Sequence, residues 1–266
     1  MSIYRVEPIN GESRLNEQSN LWDALELDET VKIISITGAG GKTSVMFRLA
    51  EELKAMGKRV IVTTSTHILY PENYQTVLIE QASRLSQVTW KDRILVVGGF
   101  VKEANMPESG EVCRKLCGME VSRIAGLAAW CDVLLIEADG SRRLPLKAPA
   151  SHEPVIIPET DAVIGCAGLT CIGKTWEEGC FRPELAVELL EAAGHKPEAA
   201  IRPEDVAYIL TSRNGTRKQA GERPYRIVLN KADGERELRL AKKTVQEISF
   251  TANVPIVITS NLIKTK

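Results

Sequence analysis

The chain has 266 residues, a length that fits one large domain or two small ones. Its 34 Lys and Arg residues are balanced by 35 Asp and Glu residues, and this charge balance argues against nucleic acid as a partner. No apolar run approaches the about 20 residues needed to cross a bilayer, and residues 1–30 lack the pattern of a secretory signal, so a cytoplasmic protein without a membrane partner is expected.

Apolar runs and helical stripes alternate along most of the chain. Residues 1–30 have few strand signals and are predicted to form an N-terminal extension with one short helix. Strands are predicted over residues 31–37, 59–64, 93–97, 132–137, 162–166, 225–229 and 254–259. Helices are predicted directly after the glycine-rich turn at 38–41 and over residues 110–130, 183–193, 203–210 and 235–248.

The predicted strands are continuous apolar runs, which are typical of strands buried on both faces. We therefore predict an α/β fold with a mostly parallel sheet and helices on both faces, similar to that of P-loop NTPases. One domain is predicted to span residues 1–266, with a proline-rich, insertion-like loop at 144–159.

Residues 36–44 (ITGAGGKTS) join the first predicted core strand to a helix. Small residues let successive backbone N–H groups point at one anion, a helix start favours negative charge, and Lys and Thr supply groups for phosphate and Mg²⁺. Because Ile36 replaces the first glycine of G-x-x-x-x-G-K-[ST], the turn is closer to the shorter loop of Mur-type ligases; an ordinary glycine-rich turn is the alternative. The predicted nucleotide-binding residues are Gly38, Ala39, Gly40, Gly41, Lys42, Thr43 and Ser44.

Two carboxylates follow the strand predicted at 132–137. Glu137 ends this strand and Asp139 comes two residues later, where a carboxylate beside a phosphate loop holds Mg²⁺ or its water shell. We predict that Glu137 and Thr43 bind Mg²⁺, and that Asp139 is either a further ligand or a catalytic group. A simple Asp-Gly turn is the alternative.

Hydroxyl groups end the second predicted core strand, at residues 63–67 (TTSTH). The carboxyl ends of strands in open α/β sheets face the ligand crevice. Thr64 or Thr66 is therefore a candidate to hold a metal-bound water or the γ-phosphate, and His67 is a candidate ligand or proton-transfer group. A β-branched strand end with a surface histidine is the alternative.

Residues 140–149 (GSRRLPLKAP) place three cations in a proline-stiffened loop. Arg142, Arg143 and Lys147 are candidates to bind a second anion or to offset charge during phosphoryl transfer, and a solvated basic loop is the alternative. The predicted catalytic residues are Lys42, His67, Asp139, Arg142 and Lys147.

Asn230, Lys231 and Asp233 match the pattern N-K-x-D of guanine-nucleotide-binding proteins and follow a predicted strand. A carboxylate accepts hydrogen bonds from the N1–H and N2–H₂ groups of guanine, both of which adenine lacks, and the lysine stem can lie over the base or ribose. The Mur-like turn favours ATP instead, so ATP and GTP both remain candidates.

Several segments together resemble the YqeC-type selenium-dependent hydroxylase accessory proteins, also called selenium cofactor biosynthesis proteins. The similar segments are residues 36–44, 63–68, 136–149, 152–155, 168–174, 182–184 and 229–233. The chain departs from that family at residues 63–66, which read TTST instead of TTTT, and at Phe181, where a histidine is common. By the resemblance, the residues that line the reacting side are Glu137, Asp139, Ser141, Arg142, Lys147 and His152.

The resemblance implies a nucleotide-binding accessory protein in the maturation of selenium-dependent molybdenum hydroxylases. A molybdenum hydroxylase or its cofactor-maturation proteins would then be the partner. From the residues we expect a Mg²⁺-dependent nucleoside triphosphatase. The alternatives are a nucleotide-dependent ligase or kinase that activates a small substrate, a GTP-switched chaperone that delivers a cofactor, and a non-catalytic nucleotide sensor.

Overall fold

The computed structural model describes residues 2–9, 12–105 and 112–260. The strands are β1 (Ser2–Ile9), β2 (Glu12–Gln18), β3 (Ile33–Gly38), β4 (Val60–Thr64), β5 (His67–Leu69), β6 (Thr76–Leu78), β7 (Ile94–Gly98), β8 (Phe100–Asn105), β9 (Val112–Cys117), β10 (Val133–Glu137), β11 (Leu146–Lys147), β12 (Ala162–Gly168), β13 (Cys180–Phe181), β14 (Tyr225–Asn230) and β15 (Ile256–Ser260). The α-helices are α1 (Leu21–Ala24), α2 (Lys42–Ala55), α3 (Val121–Ile124), α4 (Trp176–Gly179), α5 (Pro183–Ala192), α6 (Pro203–Thr211) and α7 (Glu235–Thr251). Short 3₁₀ helices lie at Ala82–Gln87, Ala125–Trp130 and Leu169–Cys171.

Ten of the described strands form one sheet in the order β2-β1-β15-β14-β12-β3-β10-β4-β7-β6. The neighbouring strands from β15 to β6 are parallel, whereas β1 pairs antiparallel with both β15 and β2. The predicted α/β fold with a mostly parallel sheet is therefore confirmed, and the seven predicted strands correspond to β3, β4, β7, β10, β12, β14 and β15.

Helices cover both faces of the sheet, as predicted. On one face α1 and α2 pack on the central strands, where Leu49 of α2 joins Ile34 of β3 in one apolar cluster. On the opposite face α5, α6 and α7 cover β12, β14 and β15, and Val245 of α7 joins Ile227 of β14. The 3₁₀ helices at residues 82–87 and 125–130 cover the other half of that face. Every residue of β3, β4, β7, β10 and β12 is consequently buried.

The N-terminal segment differs from its prediction, because residues 2–18 form the antiparallel hairpin β1–β2 at one edge of the main sheet. Of the described side chains, Ile3 is fully buried, and Tyr4, Val6 and Leu15 pack against the cluster beneath α7. Ile3 packs on one face of the hairpin, and Tyr4, Val6 and Leu15 pack on the other, so these few apolar residues among polar and charged ones form no continuous run. β1 and β2 join the sheet mainly through backbone hydrogen bonds, which do not depend on the type of side chain and are therefore hard to predict from the sequence.

The helix predicted over residues 110–130 is wrong in its first part. Within the described residues of this range, β9 pairs with β8 and β5 in a separate three-stranded antiparallel sheet, and helical structure starts only at Val121. Leu116 is buried in the main core and pairs with Ile68 of β5 and Val101 of β8, so backbone pairing with these two strands determines the structure of this segment. This small sheet stands beyond the carboxyl ends of β4 and β7, which lead almost directly into β5 and β8.

The loops that follow β3, β10, β12 and β14 meet at the carboxyl edge of the main sheet. Because β3 lies between β10 and β12, the glycine-rich turn is enclosed from both sides. The stretch 144–159 packs against this edge: Leu144 O accepts from Gly40 N, and Pro145 O accepts from Gly168 N. The predicted insertion-like loop is therefore buried over residues 145–149 and covers part of the carboxyl edge of the sheet. No helix in the described part of the chain is long and apolar enough to cross a membrane.

Candidate functional site

The turn between β3 and α2 requires glycine at its narrowest points. Gly40 and Gly41 have φ values of +67° and +128°, in the region that L-residues rarely adopt. A Cβ atom on Gly40 would overlap the backbone of Gly168, and one on Gly41 would overlap the side-chain amide of Asn230. The glycines therefore let the turn lie directly between the ends of β12 and β14.

The first amides of the turn are used within the protein. Gly38 N donates to Asp139 Oδ2 at 3.1 Å, Ala39 N donates to Cys166 O at 2.9 Å, and Gly40 N donates to Leu144 O at 3.2 Å. The sequence predicts that these three N–H groups face phosphate. In this structure they hold the turn against β10, β12 and the loop after β10.

The open amides lie one step later, at the start of α2. The N–H groups of residues 41–44 have no acceptor among the described residues, and Gly41 provides no side-chain cap. These groups and the dipole of a 14-residue helix point positive charge out of the sheet edge. Gly41 and Thr43 are half-buried and Ser44 is exposed, so an anion has access to them.

Lys42 folds back beneath the turn and is buried. Its Nζ donates to Gly38 O at 2.6 Å and lies 3.1 Å from Asp139 Oδ1 and 3.8 Å from Glu137 Oε1. Burial alone lowers the pKa of Lys42, but the two carboxylates outweigh it and the pKa is raised, so the group stays charged. Asp139 Oδ1 is itself buried, and the Lys42 ammonium is its close charged neighbour.

Hydroxyl and carboxylate oxygens converge beside Lys42. Thr43 Oγ1 donates to Glu137 Oε2 at 2.7 Å, and Thr64 Oγ1 donates to Glu137 O at 3.0 Å. Thr66 Oγ1 lies 3.4 Å from Thr64 Oγ1. Burial raises the pKa of Glu137 against the opposing effect of Lys42. These are the hard oxygen donors that Mg²⁺ prefers, so Thr43 and Glu137 fit such an ion, whereas Thr66 contacts this pair only through Thr64.

A chain of alternating charges leads away from Asp139. Lys147 is fully buried, with its Nζ 3.2 Å from Asp139 Oδ2, 2.8 Å from Glu153 Oε2 and 2.7 Å from Gly140 O. Arg182 NH1 lies 2.6 Å from Glu153 Oε2. Although burial opposes ionisation, the hydrogen bonds from Arg182 and Lys147 lower the pKa of Glu153 to about 2. The predicted residue Lys147 therefore belongs to the same polar cluster as Lys42.

The arginines of the basic loop lie nearer to the surface. Arg142 is exposed, and its guanidinium carbon is 5.1 Å from the centre of the Phe181 ring, which also has Arg182 at 4.3 Å. Arg142, Arg143 and Arg182 all have positive φ, a conformation that costs energy in a non-glycine residue. The structure brings Arg142 to the mouth of the site but not into contact with Asp139.

His67 is on the exposed face of the small sheet. Its Nε2 lies 2.8 Å from Lys102 Nζ, and burial together with the charges of Lys102 and Lys115 lowers its pKa. No hydrogen bond joins His67 to Lys42 or Asp139 within the described residues. Of the predicted catalytic groups, Lys42, Asp139 and Lys147 are in contact, whereas His67 and Arg142 lie outside this cluster.

The predicted base-binding segment contacts the turn directly. Asn230 Nδ2 donates to Gly40 O at 3.1 Å, and Asn230 Oδ1 accepts from Thr259 Oγ1 at 2.8 Å. Lys231 has a φ of +65°, and Asp233 is half-buried two residues later. The structure therefore places the segment from Asn230 to Asp233 beside residues 38–44.

The site also contains side chains that were not predicted as site residues, namely Glu153, Arg182, Thr259 and Ser260. Glu153 and Arg182 lie in segments 152–155 and 182–184, which carried the family resemblance without an assigned role. His152, which the resemblance had suggested, is exposed, and its neighbour Glu153 occupies the interior. Thr259 and Ser260 end an ordinary apolar strand, and no sequence signal distinguished them.

Together these features define an α/β protein with a polar, charge-balanced site at the carboxyl edge of a mostly parallel sheet. The chain belongs to the YqeC family: the family model described as YqeC protein matches residues 34–184. The chain is also 34% identical over 204 residues to the uncharacterized protein YqeC of Escherichia coli (strain K12), a match that covers 70% of each chain. The family resemblance is thus confirmed. The matched range includes the charged residues that contact one another in the site, which are Lys42, Asp139, Lys147, Glu153 and Arg182.

Proposed function

We propose that the protein binds a Mg²⁺–nucleoside triphosphate and hydrolyses it as an accessory protein in the maturation of selenium-dependent molybdenum hydroxylases. The observation that carries the proposal is the row of open N–H groups from Gly41 to Ser44 above the buried ammonium of Lys42. Such a helix start is suited to a phosphate group. The maturation role rests on what the resemblance to the YqeC-type accessory proteins implies.

Phosphate binding would use charges that are already paired inside the protein. The ammonium of Lys42 is balanced by Asp139 and Glu137, and it would exchange the carbonyl of Gly38 for phosphate oxygens. Thr43 and Glu137 would hold Mg²⁺, which when bound neutralises phosphate charge. Mg²⁺ would also neutralise the carboxylate of Glu137, which would lose its ion pair when Lys42 moves to the phosphate.

Hydrolysis would be an attack of water on the γ-phosphorus. The new oxygen–phosphorus bond forms as the bond to the bridging oxygen of the β-phosphate breaks, releasing inorganic phosphate and the diphosphate. Asp139 would orient the water and accept its proton, because Oδ2 is held by Gly38 N and the Lys147 ammonium, while Oδ1 would become available when Lys42 turns from it to the phosphate. Arg142 at the mouth would offset developing charge.

The test is titration calorimetry of Mg²⁺–triphosphates with Lys42→Ala. We expect the affinity to fall about 100-fold, because a charge-assisted hydrogen bond to phosphate is lost. Lys54→Ala is the matched control, since Lys54 is on the same helix but pairs with Glu51 and Asp92 away from the turn. A thermal melt checks the fold of both variants. Unchanged affinity in a folded Lys42→Ala protein would refute the proposal.

One observation favours a second candidate, the nucleotide-dependent activation of a small anionic substrate. The exposed Arg142 lies over Phe181 beside the buried Lys147, which is close to Asp139. This arrangement offers a place for a second anion next to the reacting phosphate. Phosphate release should then depend on a small anion such as selenide, whereas a simple triphosphatase would release phosphate at the same rate without it.

A further inference from the structure

Two neighbouring strand ends build one rigid loop beside the phosphate turn. Asn230 lies at the end of β14, and its side-chain N–H donates to Gly40 O. Its side-chain oxygen accepts from the Thr259 hydroxyl and from the Lys231 backbone N–H. Ala232 N donates to Thr259 O at 3.0 Å. The segment 230–233 is therefore fixed both to the turn that would hold phosphates and to the end of β15.

The same strand end orients a carboxylate. Ser260 Oγ donates to Asp233 Oδ1 at 3.0 Å, and Asp233 is half-buried rather than extended into solvent. Because Thr259 fixes Asn230 and Ser260 fixes Asp233, two successive residues of β15 set the position of the whole loop relative to α2. Such pre-organisation lowers the entropy that a ligand must pay to order its site.

We propose that the base of the bound nucleotide is guanine and that Asp233 reads it; this rests on the proposed triphosphate site. Guanine presents N1–H and N2–H₂ as adjacent donors, and a carboxylate accepts from both. Adenine presents the N1 lone pair and C2–H on the same edge, so the carboxylate of Asp233 would meet no donor and would repel N1. A polar site left unpaired in this way discriminates strongly against the wrong ligand.

The proposal predicts an affinity series that follows the base edge. For the full chain in Mg²⁺, GTP should bind about 100-fold more tightly than ATP, with ITP between them because inosine keeps N1–H and lacks the 2-amino group. Titration calorimetry or displacement of a fluorescent GTP analogue measures the three dissociation constants. Equal affinities, or a preference for ATP, would overturn the guanine assignment.

Asp233→Asn changes the donor pattern in a defined way. The amide offers one acceptor and one donor, which matches the N1–H and C2 carbonyl of xanthine. We expect the variant to bind GTP about 100-fold more weakly and XTP about 100-fold more tightly than the natural protein does. Glu235→Gln is the control, because it removes one negative charge from the nearby start of α7 and should leave the base preference unchanged.

A second variant covers the case in which Asp233→Asn fails to fold. Ser260→Ala removes the hydroxyl that orients Asp233, and it should reduce the preference for GTP over ATP about 5-fold while inorganic tripolyphosphate still binds as before. An unchanged preference in a folded Ser260→Ala protein would contradict the orienting role of Ser260. If no triphosphate binds the natural protein at all, the proposed function itself fails; if all bind alike, only the guanine assignment does.

Discussion

Glu137 illustrates how a residue can favour function over stability. Its carboxylate is buried between Lys42 and Thr43, and burial raises its pKa, which means that the fold disfavours the ionised form. Transferring an ion from water into the protein interior costs several kcal/mol, even when interactions with its partners offset part of this cost. Glu137 is nevertheless suited to the site, because its negative charge would bind a divalent cation.

We therefore predict that Glu137→Gln stabilises the ligand-free protein. The amide oxygen of Gln still accepts from the Thr43 hydroxyl, and the desolvation cost of the charge disappears. The melting temperature should rise by about 2–4 °C, corresponding to about 1 kcal/mol, while Mg²⁺-dependent triphosphate binding falls. Differential scanning calorimetry gives the first value and titration the second, with the exposed Glu188→Gln as control. A lower melting temperature with intact binding would show that Glu137 is merely structural.

At the scale of elements, the turn between β3 and α2 depends on close backbone approach. Gly40→Ala would place a methyl group in the backbone of Gly168 and Pro145, and would also force an L-residue to positive φ. Gly57 follows α2 with a φ of +80° but has open space around it. It is therefore a matched control that carries the backbone strain without the steric overlap.

We expect Gly57→Ala to cost about 1 kcal/mol of unfolding free energy, as placing an L-residue in the left-handed region does. Gly40→Ala should cost about 3 kcal/mol, because overlap adds to strain. Denaturant unfolding of the two variants beside the natural protein measures both values. Similar costs would mean that β12 and the loop at 144–149 can move away, and that the turn is less tightly enclosed than its contacts indicate.

Elements differ in how far the sequence predicts them. The buried parallel strands are apolar along their whole length, because both faces are covered, and all seven were predicted. β1, β2, β8 and β9 each carry two or more charged residues, so their apolar residues are too few to form a continuous run. For these strands the deciding energy is backbone pairing with a distant partner, which composition does not record.

At the scale of the whole molecule, the fold determines which motifs contact each other, and a local motif does not contain this information. The segments around Gly40 and Asn230 were each predicted from spacing, but their contact joins residues 190 positions apart and exists only because β14 and β12 are neighbours beside β3. Likewise, the sequence predicts Lys147 as a catalytic or anion-binding cation, with a solvated basic loop as the alternative. The fold instead buries it between Asp139 and Glu153, so that a line of paired charges runs from α2 to the start of α5.

This line of charges makes the stability of the molecule depend on pH. The pKa of Glu153 is about 2 in the folded protein and near the ordinary glutamate value of 4.5 when unfolded, so its ionised form stabilises the fold. This contribution of ionised Glu153 to stability is complete above about pH 4.5 and is lost as the pH falls towards 2.

We predict that Glu153→Gln lowers the free energy of unfolding by about 3 kcal/mol at pH 7, and that this difference from the natural protein shrinks progressively below pH 4.5. Chemical unfolding at pH 7, 5, 4 and 3 measures it, with Glu188→Gln near zero throughout. A difference that stays constant across this range would mean that Glu153 acts through packing, and that the charges from Lys42 to Arg182 do not form one coupled system.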